Sequence, residues 1–209
     1  MPLHILHDTK NESVFAWKVE ESEVFFSEKL LESEQEILKK IVLAKKRIEF
    51  AATRYLMALL SRQKNIDYEG IQKDFLNKPF LKNSLSNISI SHSLPWVVVA
   101  WHSHKYIGVD IELEQEKLRK IAPRVFSEQE MQTCKDNLQL LTKFWCAKEV
   151  LYKIFGREIK DFRKNLVIKL VSEEVLSGFF INEEEKIEVQ LLTKSLDEKY
   201  EICWGFNVL

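Results

Sequence analysis

The stretch from Ser33 to Gln63, SEQEILKKIVLAKKRIEFAATRYLMALLSRQ, contains neither glycine nor proline. Its apolar residues recur every three or four positions, which is the spacing of one face of an α-helix. The opening Ser-Glu-Gln-Glu matches a capping box, in which an N-cap serine and a glutamate three residues later satisfy the first backbone N–H groups. We therefore predict one long helix that begins near Ser33.

The same tetrapeptide occurs again at Ser127–Glu130, 94 residues further along, and opens a second helical pattern over 127–155. In this register Arg54 falls on Lys148. Runs rich in β-branched and aromatic residues, which are typical of strands, flank both helices. They lie at 3–7, 13–19, 88–92, 96–101, 108–112, 164–171, 178–181, 186–192 and 200–208. A shorter helix is predicted near 69–76.

These patterns predict an α+β fold of two similar halves. Each half has a long helix packed on a small, mainly antiparallel sheet, and a pseudo-twofold axis relates the halves. We expect the boundary near residue 107, with one half over 1–107 and the other over 108–209. If the halves pair, the cleft between them is the natural place for a ligand.

The composition excludes several classes of protein. Of the 209 residues, 45% are hydrophobic, which is enough for a folded core. The chain has 31 Lys and Arg against 32 Asp and Glu, so it lacks the basic excess of proteins that bind duplex nucleic acid. Its five glycines are too far apart for the two commonest phosphate-binding loops. The longest apolar run, Val97–Trp101, is far shorter than the ~20 residues that span a bilayer.

The three cysteines, Cys134, Cys146 and Cys203, form no C-x-x-C pair, which excludes a zinc ribbon or a thioredoxin motif. An odd number of scattered cysteines favours a reducing compartment. The N-terminus has no basic leader followed by a long apolar run. We therefore expect a cytoplasmic protein, without a membrane segment.

Charge is unevenly distributed along this nearly neutral chain. Residues 38–82 carry eleven basic and four acidic side chains, whereas residues 1–37 carry three basic and nine acidic ones. Such a basic block can attract a small polyanion to one surface. The same distribution would also result from ordinary solvated helix faces.

Asp110 and Glu112 are separated by one residue in a predicted strand, so both side chains point to the same face, with Cα atoms about 7 Å apart. Two carboxylates this close repel each other, and a hard divalent cation relieves that repulsion. The segment is therefore a candidate metal site. A strand with a purely solvated face would show the same pattern.

Trp145, Glu149 and Lys153 follow at helical spacing and share one stripe of the second long helix. A glutamate with a lysine four residues on is often only a surface ion pair. The tryptophan on the same stripe, in a helix that is otherwise apolar, favours a functional role instead.

Ser91-His92-Ser93 ends a predicted strand, and Asn77-Lys78-Pro79 forms a turn that proline stiffens. An imidazole with neighbouring hydroxyls can donate hydrogen bonds to a phosphate, and the turn would hold Lys78 outward. Local hydrogen bonds between serine and backbone in an ordinary turn are the alternative.

Taken together and in this order, these segments resemble the 4′-phosphopantetheinyl transferase superfamily, most closely its larger, monomeric type with two similar halves. The resemblance spans about residues 45–170. The segments that carry it are Asn77-Lys78-Pro79, Ser91-His92-Ser93, Gly108-Val109-Asp110-Ile111-Glu112, and Trp145 through Lys153.

The resemblance implies a holo-carrier-protein synthase. Such an enzyme moves 4′-phosphopantetheine from coenzyme A to a serine of an apo acyl or peptidyl carrier protein and releases adenosine 3′,5′-bisphosphate. Mg2+ is the expected cofactor. The expected partners are coenzyme A and the carrier protein, with neither nucleic acid nor membrane, and we expect a monomer that contains an internal pseudo-dimer.

The resemblance also implies roles for individual residues. The C-terminal half would hold Mg2+ through Asp110, Glu112 and Glu149, with Glu149 and Lys153 as the catalytic residues. The N-terminal half would contact the nucleotide and phosphates of coenzyme A. The residues expected to bind coenzyme A are Arg47, Arg54, Lys78, Ser91, His92, Lys148 and Lys153.

Several alternatives remain open at this level. Either Arg47 or Arg54 could meet the nucleotide phosphate, and Glu149 could accept the serine proton directly or through water. A coenzyme A or carrier-protein binding module of the same fold, without turnover, is the alternative function. A helical interaction scaffold outside the superfamily would have no affinity for coenzyme A. The sequence leaves the carrier protein and its pathway undetermined.

Overall fold

The computed structural model describes residues 2–156 and 159–207. Its contacts divide the chain into two compact units, Met1–Lys105 and Tyr106–Leu209. All three cysteines are buried free thiols. No helix in the described ranges is both long enough and apolar enough to cross a membrane.

The first unit is one antiparallel sheet with a long helix packed on it. Its helices are α1 (Glu23–Ser27), α2 (Glu32–Lys39) and α3 (Ala44–Gln63), and its strands are β1 (Leu3–Asp8), β2 (Glu12–Lys18), β3 (Ile71–Lys73), β4 (Pro79–Leu81), β5 (Asn87–Ser93) and β6 (Trp96–His102). The strand order is β1-β2-β6-β5-β4-β3. The core between α3 and the sheet includes Leu56, Ile88 and Val99, each almost fully buried.

The second unit repeats this plan with five strands. Its helices are α4 (Lys117–Val125), α5 (Glu128–Cys134), α6 (Leu138–Phe155) and α7 (Phe162–Asn165), and its strands are β7 (Tyr106–Leu113), β8 (Leu166–Leu170), β9 (Val175–Ile181), β10 (Lys186–Leu196) and β11 (Tyr200–Asn207). The strand order is β7-β11-β10-β9-β8, and every pair is antiparallel. Phe144 and Leu151 of α6 pack into its core.

Both units have the same topology once the extra strand β1 is set aside. In each unit the first strand pairs with the last, and the remaining strands follow across the sheet in reverse order. In the sequence, the long helix lies between the first and the second strand of its unit, which are β2 and β3 for α3 and β7 and β8 for α6. The offset of 94 residues carries Glu12, where β2 begins, onto Tyr106, where β7 begins. It also carries Ala44 of α3 onto Leu138 of α6. The predicted α+β fold of two similar halves is confirmed.

The prediction of one uninterrupted helix in each half is wrong, because each is broken into a short and a long helix. The Ser33 capping box does not form, since α2 begins at Glu32 with Leu31 as its N-cap. The Ser127 capping box does form. Helix α5, which this box opens, ends before Lys135, whose φ is 44°. The next helix, α6, begins after Asn137, whose side chain caps it by accepting a hydrogen bond from the Leu140 backbone N–H.

The helix predicted near 69–76 is also wrong. Strand β3 occupies part of that segment and pairs with β4. Gly70 before it and Asn77 after it have positive φ values of 101° and 65°, which a right-handed helix does not admit. The glycine supplies that conformation without a steric cost, so the chain turns into the sheet edge instead of continuing as a helix.

Gly108 controls how closely α6 approaches β7. A Cβ atom at this position would lie 2.5 Å from the Val150 carbonyl oxygen and 3.0 Å from the Val150 Cγ1 atom. The nearest obstacle is helix backbone, which cannot move aside as a flexible side chain would. The absence of a side chain at Gly108 therefore sets the spacing between strand and helix.

We predict that Gly108→Ala lowers the free energy of unfolding by about 1–3 kcal/mol, because the added methyl overpacks this contact. Urea unfolding followed by circular dichroism measures the change. Lys194→Ala, at an exposed position of β10, is the control and should stay within about 0.5 kcal/mol of the unmodified protein. A Gly108→Ala protein as stable as the control would contradict the close-approach argument.

Candidate active site

The two carboxylates of β7 face α6. In the pairing of β7 with β11, Asp110 lies opposite Cys203, a core residue that packs with α6, and Glu112 lies opposite Glu201. Val109 and Ile111 point to the other face and are buried as well. Asp110 is only 5% exposed, so the alternative of a solvated strand face is wrong.

The first and the last residue of the Trp145, Glu149 and Lys153 stripe on α6 each donate a hydrogen bond to one of these carboxylates. Trp145 donates from its indole Nε1 to Glu112 Oε1 at 3.1 Å. Two helical turns later, Lys153 Nζ donates to Asp110 Oδ1 at 2.8 Å and to the Val109 carbonyl at 2.7 Å. Glu149 lies on the turn between them. The structure thus brings together the candidate residues of β7 and α6, and the Trp145 contact explains why a tryptophan shares this stripe.

Asp110, Glu112 and Glu149, named here the acidic cluster, influence one another electrostatically. The pKa of Glu149 is raised to about 7, chiefly by burial and then by the charges of Asp110 and Glu112, and Lys153 opposes this shift. Burial and the charge of Asp110 raise the pKa of Glu112, against the hydrogen bond from Trp145. Three mutually repelling carboxylates in a poorly solvated place are typical of a site that takes up positive charge.

The chemistry of the acidic cluster fits a magnesium ion, because Mg2+ prefers carboxylate oxygens and would relieve this repulsion. The oxygens are not gathered as a ligand set, however. Asp110 pairs with Lys153 and Glu112 with Trp145. Within residues 2–156 and 159–207, no group of three His, Cys, Asp or Glu side chains is arranged to hold a metal ion.

Lys148 belongs to the core of the second unit. Its ammonium group is fully buried, lies 3.0 Å from Glu130 Oε2, and donates to the Leu166 carbonyl at 2.6 Å and the Phe162 carbonyl at 3.2 Å. Burial lowers the pKa of Lys148, and the Glu130 charge opposes that shift. The expected contact between Lys148 and coenzyme A is therefore wrong, because a fully buried ammonium cannot reach a ligand.

The sequence pattern identified Glu130 only as the last residue of a capping box. Its carboxylate does accept from the Ser127 backbone N–H at 2.7 Å, and it also accepts from the Ile168 N–H of strand β8 at 2.8 Å. One side chain therefore connects α5, α6 and the edge of the sheet. The signal that could have revealed its partner is the charged Lys148 on the otherwise apolar face of α6.

The two candidate arginines of the first unit both make contacts inside that unit. Arg47 pairs with Glu23 through two nitrogens and donates to the carbonyls of Leu38 at 2.8 Å and Ile41 at 3.2 Å. It thereby ties α1 to the carbonyl end of α2. Contact of this guanidinium with coenzyme A stays a prediction.

Arg54 is largely buried. Its Nε atom lies 4.0 Å from Glu34 Oε1, and its guanidinium lies over the Phe50 ring at 4.0 Å. Burial lowers the pKa of Arg54, and the Glu34 charge opposes that shift. The position corresponds to Lys148 in the second unit, and it too holds a buried cation against a glutamate of the preceding short helix.

Ser91 and His92 point to opposite faces of the sheet. In the regular pairing of β5 with β6, Ser91 lies opposite Val98 and His92 lies opposite Val97, a residue of the core under α3. The strand does not direct both side chains to one side, as the expected phosphate donor set required. On the α3 side, His92 Nδ1 lies 3.6 Å from Glu49 Oε1, a neighbour that the sequence did not indicate.

Lys78 lies in the turn that leads into β4 and is half-buried. Its backbone N–H donates to Asp74 Oδ1 at 2.9 Å, which holds the turn closed. Burial lowers the pKa of the Lys78 ammonium, and the Asp74 charge opposes that shift. The turn predicted from the sequence is present, Lys78 is half-buried in it, and the contact with coenzyme A stays a prediction.

We predict that Lys148→Met lowers the free energy of unfolding by about 3–5 kcal/mol, because it leaves the Glu130 charge buried without its cation. Adding Glu130→Gln should restore part of the loss, since the amide removes the charge and keeps an acceptor for the Ile168 N–H. Urea unfolding of both variants measures this. A stable Lys148→Met protein with only a higher KM for coenzyme A would instead restore the ligand role of Lys148.

Comparison with known proteins assigns a family to the part of the chain that contains the acidic cluster. Residues 106–204 match the family model described as the 4′-phosphopantetheinyl transferase superfamily. The match begins at the first residue of β7, includes all of α6, and ends within β11. No curated protein matches the sequence. Residues 106–204, which make up nearly all of the second unit, are therefore assigned to the 4′-phosphopantetheinyl transferase superfamily.

Proposed function

We propose that this protein transfers 4′-phosphopantetheine from coenzyme A to a serine hydroxyl of an apo acyl or peptidyl carrier protein. The serine oxygen forms a bond to the pantetheine-side phosphorus, and the bond from that phosphorus to the bridging oxygen of the pyrophosphate breaks. Adenosine 3′,5′-bisphosphate leaves, and the serine proton goes to a base. The observation that carries this proposal is the acidic cluster facing Lys153 inside the family domain.

Glu149 is the proposed base. Its carboxylate lies between Lys153 and the carboxylates of β7, and it accepts the serine proton either directly or through one water. The ammonium of Lys153 lies next to the cluster and is the group suited to the negative charge that gathers on the phosphoryl oxygens. Because Lys153 also bonds to the Val109 carbonyl, its position is fixed by β7.

Asp110, Glu112 and Glu149 are the residues that would hold Mg2+. When bound, the ion would supply positive charge to the pyrophosphate oxygens. The proposal is supported by the mutual repulsion of the three carboxylates, which an ion would relieve.

We propose that the first unit binds the nucleotide of coenzyme A. The residues that would contact it are Lys78, Ser91 and His92, together with Arg47 or Arg54. Its basic block at 38–82 suits a polyanionic donor. Ser91 and His92 would approach the donor from different faces of β5. Arg54 is the weaker candidate of the two arginines, because its side chain is only 13% exposed, against 27% for Arg47.

Helix α4 is the proposed docking surface for the carrier protein. It lies shortly after β7 and presents the exposed residues Lys117, Lys120, Ile121 and Arg124, with no acidic side chain among its nine residues. An exposed apolar residue within a basic surface suits a partner that presents an acidic helix, as carrier proteins do. Complementary charge of this kind speeds association and selects the partner.

We predict that Glu149→Gln and Asp110→Ala each reduce transfer by at least about 100-fold while the protein stays folded, since each removes a carboxylate from the reacting site. Release of adenosine 3′,5′-bisphosphate with Mg2+ present, and the mass gained by a panel of apo carrier proteins, measure transfer and identify the carrier. Glu128→Gln is the matched control, because that carboxylate is 89% exposed. Full activity in either variant would refute the assignment, and coenzyme A binding without release would indicate a binding module.

We predict that the double variant Lys120→Glu/Arg124→Glu raises the KM for the carrier protein about tenfold and leaves the KM for coenzyme A unchanged, because repulsion replaces attraction at the docking surface. Steady-state kinetics with each substrate varied in turn measures both constants. Lys194→Glu, an exposed charge reversal on β10, is the control. An equal increase in both constants would show that α4 does not act through the carrier protein.

A further inference from the structure

Residues 103–105, named here the connecting turn, join β6 of the first unit to β7 of the second. One imidazole binds the middle and the end of this turn. The backbone N–H groups of His104 and Lys105 both donate to His102 Nδ1, at 3.0 and 2.9 Å. The last residue of β6 therefore fixes the path by which the chain enters the strand that carries the acidic cluster.

Two further hydrogen bonds attach the connecting turn to the first unit. The Ser103 N–H donates to the Asn11 carbonyl at 2.9 Å, and the Asn87 side-chain amide donates to the His104 carbonyl at 3.2 Å. These partners do not change their charge with pH. His102 is the titratable partner among the groups that hold the turn.

The sheet determines where the two nitrogens of His102 point. Its neighbour Trp101 packs in the core under α3, so His102 points to the opposite face of β6, where it is only 5% exposed. Across the strands it lies between Glu12 of β2 and Asn87 of β5. Its Nε2 atom lies 3.7 Å from Glu12 Oε2, whereas Nδ1 faces the connecting turn.

The contacts of Nδ1 define the protonation state of the ring. A backbone N–H group can only donate, so Nδ1 must accept through its lone pair. In a neutral imidazole the proton is then on Nε2, which faces the Glu12 carboxylate. An imidazolium carries a proton on both nitrogens. A proton taken from solvent by Nδ1 would use the lone pair and set one N–H group against two others.

We propose that His102 is a pH-sensitive latch, which holds the connecting turn while its imidazole is neutral and releases it when Nδ1 takes up a proton. The latch acts on the backbone between the two units and not on the acidic cluster, so the proposal does not depend on the proposed function. It predicts that the turn, and not the sheet around it, opens first as the pH falls.

The charged groups around His102 determine where the latch works. Burial lowers the pKa of His102, the charges of Lys105 and His104 add to that shift, and the charge of Glu12 opposes it. Glu12 is shared with β1, because its Oε1 atom lies 2.5 Å from His7 Nε2. The neighbour from β5, Asn87, is uncharged.

The sign of the pH dependence follows from this lowered pKa. The unfolded chain takes up the proton at a higher pH than the folded protein does. The latch therefore contributes its full stability above the ordinary histidine pKa of about 6.5. That contribution is lost as the pH falls through the lowered pKa of the folded state.

The test is nuclear magnetic resonance of the full chain labelled with 15N. Near neutral pH, we expect His102 to show an unprotonated Nδ1 and a protonated Nε2. Between about pH 8 and about pH 5, the hydrogen-exchange protection factors of the His104 and Lys105 amides should fall at least about tenfold, and those of the β6 amides should not.

Two variants separate the latch from a histidine that only fills space. His102→Asn keeps an acceptor that does not titrate, because an asparagine oxygen accepts from the N–H group two residues on in an Asx turn. We expect it to keep the His104 amide protected over the whole pH range. His104→Gln, which removes the exposed imidazole of the turn, is the control and should keep the pH dependence.

Three results would overturn the latch. They are a protonated Nδ1 in the unmodified protein at neutral pH, protection of the two amides that does not change with pH, and the same pH dependence in His102→Asn as in the unmodified protein. The first two need no variant, so they decide the question even if His102→Asn does not fold.

Discussion

The close packing of α6 on β7 is the contact on which the candidate active site depends. Asp110 and Glu149 are far apart in the sequence, and nothing local holds them together. Gly108 permits the helix backbone to approach the strand, and the pleat of β7 turns Asp110 and Glu112 toward that helix. With this spacing, Trp145 donates to Glu112 and Lys153 donates to Asp110. Glu149 lies on the helical turn between Trp145 and Lys153, and so close to both carboxylates of β7.

Buried charges organise both units in the same way. In each, a cation of the long helix meets a glutamate of the preceding short helix: Arg54 meets Glu34, and Lys148 meets Glu130. Burying such a pair costs desolvation free energy, and it is tolerable only where further hydrogen bonds satisfy both partners. Lys148 and Glu130 meet that condition through hydrogen bonds with the backbone of β8 and of α7, which precedes it.

The duplicated frame carries different chemistry in its two copies. At the offset of 94 residues, Ala16 and Lys18 occupy the positions of Asp110 and Glu112, and Tyr55 occupies that of Glu149. The acidic cluster therefore belongs to the second unit alone. The first unit has the opposite arrangement at Glu49, where the carboxylate is buried and its basic neighbours are exposed. Similar backbones thus present negative charge in one unit and positive charge in the other.

The sequence by itself determined the repeated plan, most of the strands, and the acid pair of β7 with its matching stripe on α6. Those features are periodic, and periodicity reports which face of a strand or helix a residue occupies. Only the tertiary structure decided where each long helix breaks and that Lys148 is a core residue. It also decided that Ser91 and His92 point to opposite faces of β5 and that the buried Glu49 carboxylate lies next to His92. The physical reason is that burial and partner choice depend on contacts between distant segments, and a cation in a local pattern looks the same whether it meets a ligand or a buried carboxylate.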